Sequence, residues 1–501
     1  MRRARRIIVI IAGLLALLVL AVAILIATFD PNDFRDEIEA RVAERIGRDL
    51  QLRGDISLSL FPWLAITTGD ARLANPEGFG PEPFLALEGL RIGVRLLPLL
   101  AGRLEIGEIV LEAPRLQLVT DAEGRTNWQD LLAGDGGEGP TDVTAAGLVV
   151  ENGEILIEDR AAGTSVRVSG LDLRVGRVAL DEPVPITARM QIEQATDRAE
   201  VELEAEVTVA LEPFELRVAE PRVDVALLSE RLGTRAEALP IELRADEFSA
   251  ADGHYLLIGL HLETALPLDS APSGRLPLEL RAGRIELDES LEQLAARALR
   301  VTAAGASLTA DVLEGQSLVD DPLVRAAFAL EPIDLREVLP EAGIAVPATN
   351  DATALTRFAM QARLEATGST VRLSDLDLGL DDTQVSGSLE VAFRDPAAVR
   401  FSLHADRLDA DRYLPPGQAG ASTGEDSELP LERLRTLPVT GVLTIATATM
   451  AGTEVRDLRL ELGSAAAGLE LEHGGAPSMG PTTAARATVD PSEDREGRFR
   501  R

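Results

Sequence analysis

The chain has 501 residues and no cysteine, which excludes disulfides, thiolate nucleophiles and cysteine-ligated zinc. Its net charge is −34 and all 49 basic residues are arginines, which argues against a nucleic-acid partner, because a phosphate backbone is bound by clustered cations. Hydrophobic residues make up 46% of the chain and aromatic residues only 3%, so its apolar content is almost entirely aliphatic.

The N-terminal residues predict a membrane anchor. Four arginines among the first six residues precede Ile7–Phe29, a stretch without any charged residue whose start, middle and end are Ile7, Leu18 and Phe29. As a helix this stretch spans about 34 Å, which is enough to cross a bilayer. The arginines on its near side predict a cytoplasmic N-terminus, with the rest of the chain outside. The alternative is a cleaved signal peptide, whose apolar core normally has only about 7–15 residues.

A short amphipathic helix is predicted directly after the anchor. Asp30 can cap it, Pro31 suits its first position, and Gly47 can end it. We expect this helix either to cover the first sheet or to close the membrane-proximal end of a β structure. Its apolar residues recur every four positions and form one stripe: Phe34, Ile38, Val42 and Ile46.

From Gln51 onward the spacing of apolar residues changes to two, which predicts β-strands as far as about residue 472. A phase shift at Gly89 indicates a bulge within one of these strands. Later helices are predicted only at Glu289–Leu299 and Leu335–Leu339. The apolar positions that we expect to share one face are Leu58, Leu60, Ile92, Val94, Ile106 and Leu111.

A six-residue alternating pattern occurs three times, in loose copies, along the β region. The copies are Val168–Leu173, Leu373–Leu378 and Val455–Leu460. Repeats of one supersecondary unit indicate stacking along an axis rather than one closed core.

Two Gly-rich polar segments, 134–145 and 417–428, predict flexible linkers. The first lacks the spacing of a phosphate-binding loop, and its Asp135 and Glu138 would repel phosphate. The last residues, 474–501, lose the alternation and predict a disordered tail.

We find no motif for catalysis or metal binding, and therefore expect no enzyme activity, no catalytic residue, no metal and no cofactor. There is no H-E-x-x-H and no G-x-S-x-G. A carboxylate pair of the glycosidase type or a calcium site is the alternative, although no EF-hand loop is present. The histidines lack metal-binding spacing and are expected at the surface: His254, His261, His404 and His473.

The stretch Phe29–Leu132 resembles the N-terminal region of the AsmA family. An anchor, the helix start DPNDF, the strand GRDLQLRGD, FPWL, the turn LPLL and GRTNW come in the order typical of that family. A second match covers Phe358–Pro416, where LSDLDLGLDDTQVSGSLEVAF leads to LHADRLDADRYLPP.

The resemblance implies a mainly β fold: an N-terminal transmembrane helix, a short amphipathic helix, and an elongated twisted antiparallel β-sheet or groove of repeated strand units, similar to bridge-like lipid-transfer proteins. The strand pattern alone would instead favour a β-sandwich, because strands of this kind usually bury their apolar face in a core.

The resemblance also implies a non-enzymatic protein of outer-membrane biogenesis in the bacterial inner membrane, single-pass, with its N-terminus cytoplasmic and its bulk periplasmic. Its implied partners are membrane lipids (phospholipid or lipopolysaccharide) and the inner membrane, with the outer-membrane assembly machinery as a candidate and no nucleic acid. The six apolar positions named above would face lipid. The alternative is an anchored periplasmic scaffold or regulator that carries no lipid.

The predicted organisation follows the chain from the cytoplasm outward. It comprises cytoplasmic residues 1–6, a transmembrane helix 7–29, an AsmA-like N-terminal β domain 30–133, a linker 134–145, β-groove repeats 146–416, a linker 417–428, C-terminal strands 429–473 and a disordered tail 474–501.

Overall fold

The computed structural model confirms a mainly β protein with few helices. It divides into two compact units, residues 1–238 and 239–501. No helix in the described part of the chain is long and apolar enough to cross a membrane. The predicted anchor, with Ile7, Leu18 and Phe29, lies outside that part, as do 134–144, 417–428 and 474–501. The structure describes residues 30–59, 64–94, 106–132, 145–179, 181–211, 213–234, 237–319, 321–393, 397–416, 439–462 and 470–473.

The first helix begins and ends where the sequence predicts. The Asp30 side chain accepts a hydrogen bond from the backbone N–H of Asn32 at 2.9 Å and caps a 3-10 turn, Pro31–Phe34. The turn continues as helix α1, Arg35–Ile46, and Gly47 ends it with a φ of 75°. Glycine adopts this left-handed conformation without the steric cost that a side chain would bring.

The strands of unit 1 form two narrow ribbons that both pair with one long strand, β9. One ribbon is β2–β3–β6–β7 and the other is β1–β4–β5–β8, after which β9 to β13 follow in chain order. A helix α2, Gln129–Leu132, follows β8. The strands are β1 Leu50–Leu52, β2 Ser57–Ser59, β3 Leu64–Thr68, β4 Ala71–Leu73, β5 Leu85–Leu87, β6 Gly89–Val94, β7 Ile106–Glu112, β8 Arg115–Thr120, β9 Ala145–Asp159, β10 Thr164–Val175, β11 Val184–Gln194, β12 Asp197–Leu211 and β13 Phe214–Leu228.

The phase shift at Gly89 is not the bulge that the sequence predicts. It marks the boundary between β5 and β6, which pair with different partners in the two ribbons. Local alternation shows that the strand is interrupted, but it does not show that the chain there passes from one ribbon to the other.

Unit 2 is a meander in which most strands pair with their neighbours in the chain. Two short helices interrupt it, α3, Leu335–Glu341, and α4, Ala410–Tyr413. The strands are β14 Leu239–Arg244, β15 Glu247–Ala251, β16 His254–Pro267, β17 Arg275–Asp288, β18 Gln293–Ala303, β19 Ala306–Gln316, β20 Leu323–Ile333, β21 Phe358–Thr367, β22 Thr370–Leu380, β23 Thr383–Ala392, β24 Ala398–Asp409, β25 Val439–Met450, β26 Thr453–Leu462 and β27 Glu470–His473.

One of the two later helix predictions is confirmed and the other is wrong. Leu335–Leu339 lies within α3, which the Asp334 side chain caps. The predicted helix Glu289–Leu299 is instead mostly strand β18, paired on both sides with β17 and β19. Its Leu, Ala and Arg residues are good helix formers, but helix propensity is a weak preference that pairing on both edges overrides.

Three strand pairs in the described part of the chain run parallel and depart from the antiparallel sheet that the sequence predicts. Strands β7 and β8 both run parallel to β9, and β24 runs parallel to β25. Parallel neighbours require a crossover connection of roughly a dozen residues or more. The Gly-rich segments 134–144 and 417–428 belong to the connections that lead into β9 and β25.

Two buried polar residues, Asn127 of the GRTNW stretch and Arg48, connect elements of unit 1. Asn127 is fully buried, with 0% exposure. Its side-chain amide donates to the Gln117 carbonyl at 2.9 Å and to Asn75 Oδ1 at 2.8 Å, while its Oδ1 accepts from the Val119 N–H at 2.9 Å. Asn127 therefore ties β8 to the loop before β5.

Arg48 is the second buried polar residue, and it ties the end of α1 to α2. Its Nε donates to Asp130 Oδ2 at 2.9 Å, and its guanidinium lies 4.6 Å from the centre of the Phe84 ring. The hydrogen bond from Arg48 holds the pKa of the Asp130 carboxyl below its usual value.

We predict that Asn127→Ala lowers the free energy of unfolding by about 3 kcal/mol, because it leaves buried backbone and side-chain groups without partners. Urea denaturation of the whole chain, followed by circular dichroism, measures the change. Asn350→Ala, at an exposed position, is the matched control. Equal stability of the two variants would contradict the assigned role of Asn127.

Candidate functional site

A continuous apolar face crosses the strands of unit 1. Directly paired residues in a sheet point to the same side, so a chain of paired positions defines one face. We call this set the unit 1 ladder. Its members, from β6 to β13, are Leu90, Leu111, Val150, Leu173, Ala188, Leu203 and Val223.

Unit 2 carries a longer apolar ladder of the same kind. It crosses consecutive strands from β16 to β26, and nearly every position is aliphatic. We call this set the unit 2 ladder: Leu262, Leu280, Val301, Leu308, Leu330, Met360, Leu378, Val385, Ala405, Ile445 and Leu458.

The face opposite each ladder is charged. Strand β12 shows the contrast most clearly, since Val201 and Leu203 alternate with glutamates along it. On that charged face Arg189 pairs across the strands with Glu202 at 2.9 Å. In unit 2 Arg372 pairs with Glu390 at 2.7 Å. The alternation therefore makes one face suited to water and the other suited to apolar material.

Most positions of the apolar ladders are only half-buried. Across β11, β12 and β13, Val184 is the one buried apolar residue among those described, and Leu308 of the unit 2 ladder is 37% exposed. A β-sandwich core would bury such positions fully. Within each unit the described residues thus leave the apolar face open to a ligand, which departs from the sandwich that the strand pattern alone would favour.

Some ladder positions are buried, namely Val150 with 6% exposure, Ala405 with 3% and Ile445 with 3%. Near the start of unit 1, Leu52, Ile56, Ala71 and Leu87 form a buried cluster, against which Leu111 packs. In unit 2, another cluster contains Ala405, Ile445 and Ala448. Each unit thus covers part of its own apolar ladder.

The threefold sequence repeat corresponds to a backbone irregularity. Each copy contains one residue with positive φ, namely Gly170 at 57°, Asp375 at 48° and Asp457 at 55°. In β10 and β22 the pairing register shifts at that point. A bulge inserts one extra residue, so the apolar residues on both sides of it return to the same face.

The predicted lining residues lie together in the first ribbon. Leu58 pairs with Ile66, which pairs with Ile92, so the three share a face. Val94 is buried, with 9% exposure. Leu111 pairs with Leu90 on the same side.

For the other two predicted positions, Leu60 and Ile106, the side chains are not described. The Ile106 backbone pairs with Val94, but its side chain is outside the described part, and so is Leu60. That these residues contact lipid stays a prediction.

One polar cluster was not foreseen from the sequence, because it forms across two strands. His261 Nε2 lies 2.9 Å from Glu263 Oε1 and 2.8 Å from Glu279 Oε1. These three side chains could hold a metal ion. Arg281 also pairs with Glu279, so we interpret the cluster as an ion-pair network on the charged face. Desolvation opposes ionisation of Glu279, but Arg281 and His261 outweigh it and lower its pKa.

A second network holds α4 against the β22–β23 turn. The Asp381 carboxylate accepts from the N–H groups of Leu355 at 2.8 Å and Thr356 at 3.0 Å, and from the Tyr413 hydroxyl at 2.9 Å. Burial raises the pKa of Asp381, but these hydrogen bonds outweigh it and the net pKa is lowered. Burial and the same carboxylate raise the pKa of Tyr413 to about 12. Arg412 adds an ion pair to Asp351 at 2.7 Å.

We predict that Asp381→Asn lowers the free energy of unfolding by about 2 kcal/mol at pH 7, since an amide cannot accept all of these hydrogen bonds. The folded pKa of Asp381 is depressed, so its contribution is fully present above the unfolded pKa of about 3.9 and is lost as the pH falls through the folded pKa. The difference between variant and unaltered protein should therefore shrink below about pH 4. Urea denaturation at several pH values measures it, and a difference independent of pH would contradict the assignment.

Comparisons with known proteins match part of the chain. The sequence model of the AsmA family matches residues 1–220. The chain is 25% identical over 264 residues to AsmA family protein YhjG of Escherichia coli K12, an alignment that covers 49% of this chain and 37% of that protein. It is 33% identical over 119 residues to Protein AsmA of the same strain, covering 24% of this chain and 19% of that protein. The chain thus aligns with well under half the length of either relative, and no solved structure matches it.

Proposed function

We propose that this chain, which belongs to the AsmA family over residues 1–220, is a non-enzymatic envelope protein that binds or moves acyl lipids along its apolar ladders and supports outer-membrane assembly. Its bulk lies in the periplasm, and Ile7–Phe29 anchors it in the inner membrane. Phospholipid or lipopolysaccharide is the ligand class. Family membership is consistent with outer-membrane biogenesis.

The half-exposed apolar ladders are the observation that supports this proposal. Leaving apolar surface in water costs about 25 cal/mol per Å², so a face that is aliphatic strand after strand and yet uncovered favours an apolar ligand. Contiguous apolar patches of this kind mark binding surfaces rather than ordinary protein surface.

The composition of the ladders fits acyl chains in particular. Leu, Val, Ile and Ala provide a surface without large rings, and neighbouring strands lie about 4.8 Å apart. A flexible hydrocarbon chain that crosses the strands can therefore contact the ladder residue of one strand after another. Because these contacts lack hydrogen bonds, they favour apolar ligands without selecting one headgroup.

We predict that a charge on the ladder abolishes lipid binding while the protein stays folded. Leu203→Asp places a carboxylate on the apolar face of β12, and Ile92→Asp does the same in β6. Thr208→Asp is the matched control, since Thr208 lies on the charged face of β12, opposite Arg217. The measurement is native mass spectrometry of the full chain purified from the envelope, with extraction and identification of its lipids.

Several acyl lipids on the unaltered chain and on Thr208→Asp, and their loss from Leu203→Asp and Ile92→Asp, are the expected results. Circular dichroism and urea denaturation check that all variants remain folded. A folded, lipid-free unaltered chain would reject lipid carriage and support the anchored scaffold instead.

A further inference from the structure

The apolar stripe of helix α1 is exposed except at Val42, which is half-buried. Ile38 is 40% exposed and Ile46 39%, and Phe34 in the preceding turn is 45% exposed. No residue of α1 is buried. The sequence leaves two roles open for this helix, covering the first sheet or closing the membrane-proximal end of the β structure, and the three exposed residues do not cover the sheet. A surface helix normally turns its apolar stripe toward the core, so the exposed residues are available to another apolar partner.

Polar side chains attach α1 to the sheet in place of the apolar stripe. Glu39 Oε1 accepts from the backbone N–H of Leu52 at 2.6 Å. Asn32, in the preceding turn, exchanges hydrogen bonds of 2.9 Å and 3.1 Å with the backbone of Ile56. Arg35 donates to a loop carbonyl at 2.8 Å. These bonds fix the rotation of the helix with Glu39 toward the sheet, which leaves Phe34 and Ile38, about 140° and 100° from Glu39 around the axis, exposed.

We infer that α1 lies flat on the lipid bilayer, with Phe34, Ile38 and Ile46 inserted among the headgroups. The chain directly before Asp30 is the uncharged stretch Ile7–Phe29. At no more than about 3.6 Å per residue, Phe34 is within about 18 Å of the end of that stretch. A membrane surface is therefore the apolar partner that the sequence places next to the helix.

The charges around the stripe fit this occupant. At 100° per residue, Arg41 and Arg45 lie within about 20° of Phe34 around the helix axis. Arginines beside an apolar stripe can extend to lipid phosphates while their aliphatic stems stay in the interface. Glu44 lies about 80° from Phe34 and about 120° from Ile38 around the axis, whereas Glu39 faces the sheet.

This arrangement positions the start of the unit 1 sheet at the headgroups, because the hydrogen bonds of Glu39 and Asn32 connect α1 to β1 and to the loop before β2. The inference concerns docking alone, so it holds for a lipid carrier and for a scaffold alike. Its test is therefore independent of lipid co-purification.

The absence of cysteine makes this inference testable with single labels. Ile38→Cys and Ile46→Cys are each labelled with the fluorophore NBD in the full chain, which is reconstituted into vesicles of phosphatidylethanolamine and phosphatidylglycerol. Glu44→Cys on the same helix is the matched control. We expect nitroxide lipids to quench positions 38 and 46 several-fold more than position 44, and aqueous iodide to quench position 44 most.

Two outcomes would overturn the inference. Equal iodide quenching at all three positions would show that the stripe remains in water. Protection of position 38 without quenching by nitroxide lipid, together with a disulfide between two copies of Ile38→Cys, would assign the stripe to a second copy of the chain. Circular dichroism and urea denaturation confirm that each exposed substitution leaves the fold intact.

Discussion

The architecture depends on one constraint, namely that apolar residues stay on the same side of the sheet from each strand to the next. A shift of one residue in register would move a whole strand's apolar set to the charged face. At Gly170 and Asp375 the strand contains one extra residue, which would turn the following apolar side chains to the charged face. A bulge at each position accommodates that residue, so the apolar side chains before and after it lie on the same face. The open face, the ion pairs behind it and the proposed ligand all follow from that continuity.

The period of two in the sequence predicts the strands and the shared face of Leu58, Ile92 and Leu111, because side-chain direction in a strand is a local property. The caps of α1 are equally local, and both are correct. Strand partners are not local, and here the predictions failed. The break at Gly89 could not be distinguished from a bulge, and the helix-favouring residues of β18 gave no sign of its two neighbours.

The orientation of α1 could not be predicted from the sequence pattern, for a related reason. A stripe of Ile38, Val42 and Ile46 shows that one side of the helix seeks apolar surroundings, but it does not say whether a sheet or a membrane supplies them. Hydrogen bonds of Glu39 and Asn32 with backbone groups fix the rotation of the helix, and such bonds leave no periodic signal. The same holds for Glu279, which meets His261 only because β16 and β17 are paired.

The parallel pairings into β9 and β25 have a consequence for the evolution of such chains. Hairpin turns in a meander fix the stagger of the strands that they join, so a change in their length would disturb the ladders. A crossover between parallel strands has only to be long enough to return the chain to the end of the sheet at which the previous strand began. Segments can therefore be inserted into or deleted from the connections that contain 134–144 and 417–428. Such changes leave the strand register, and with it the apolar face, unaltered on both sides of the connection.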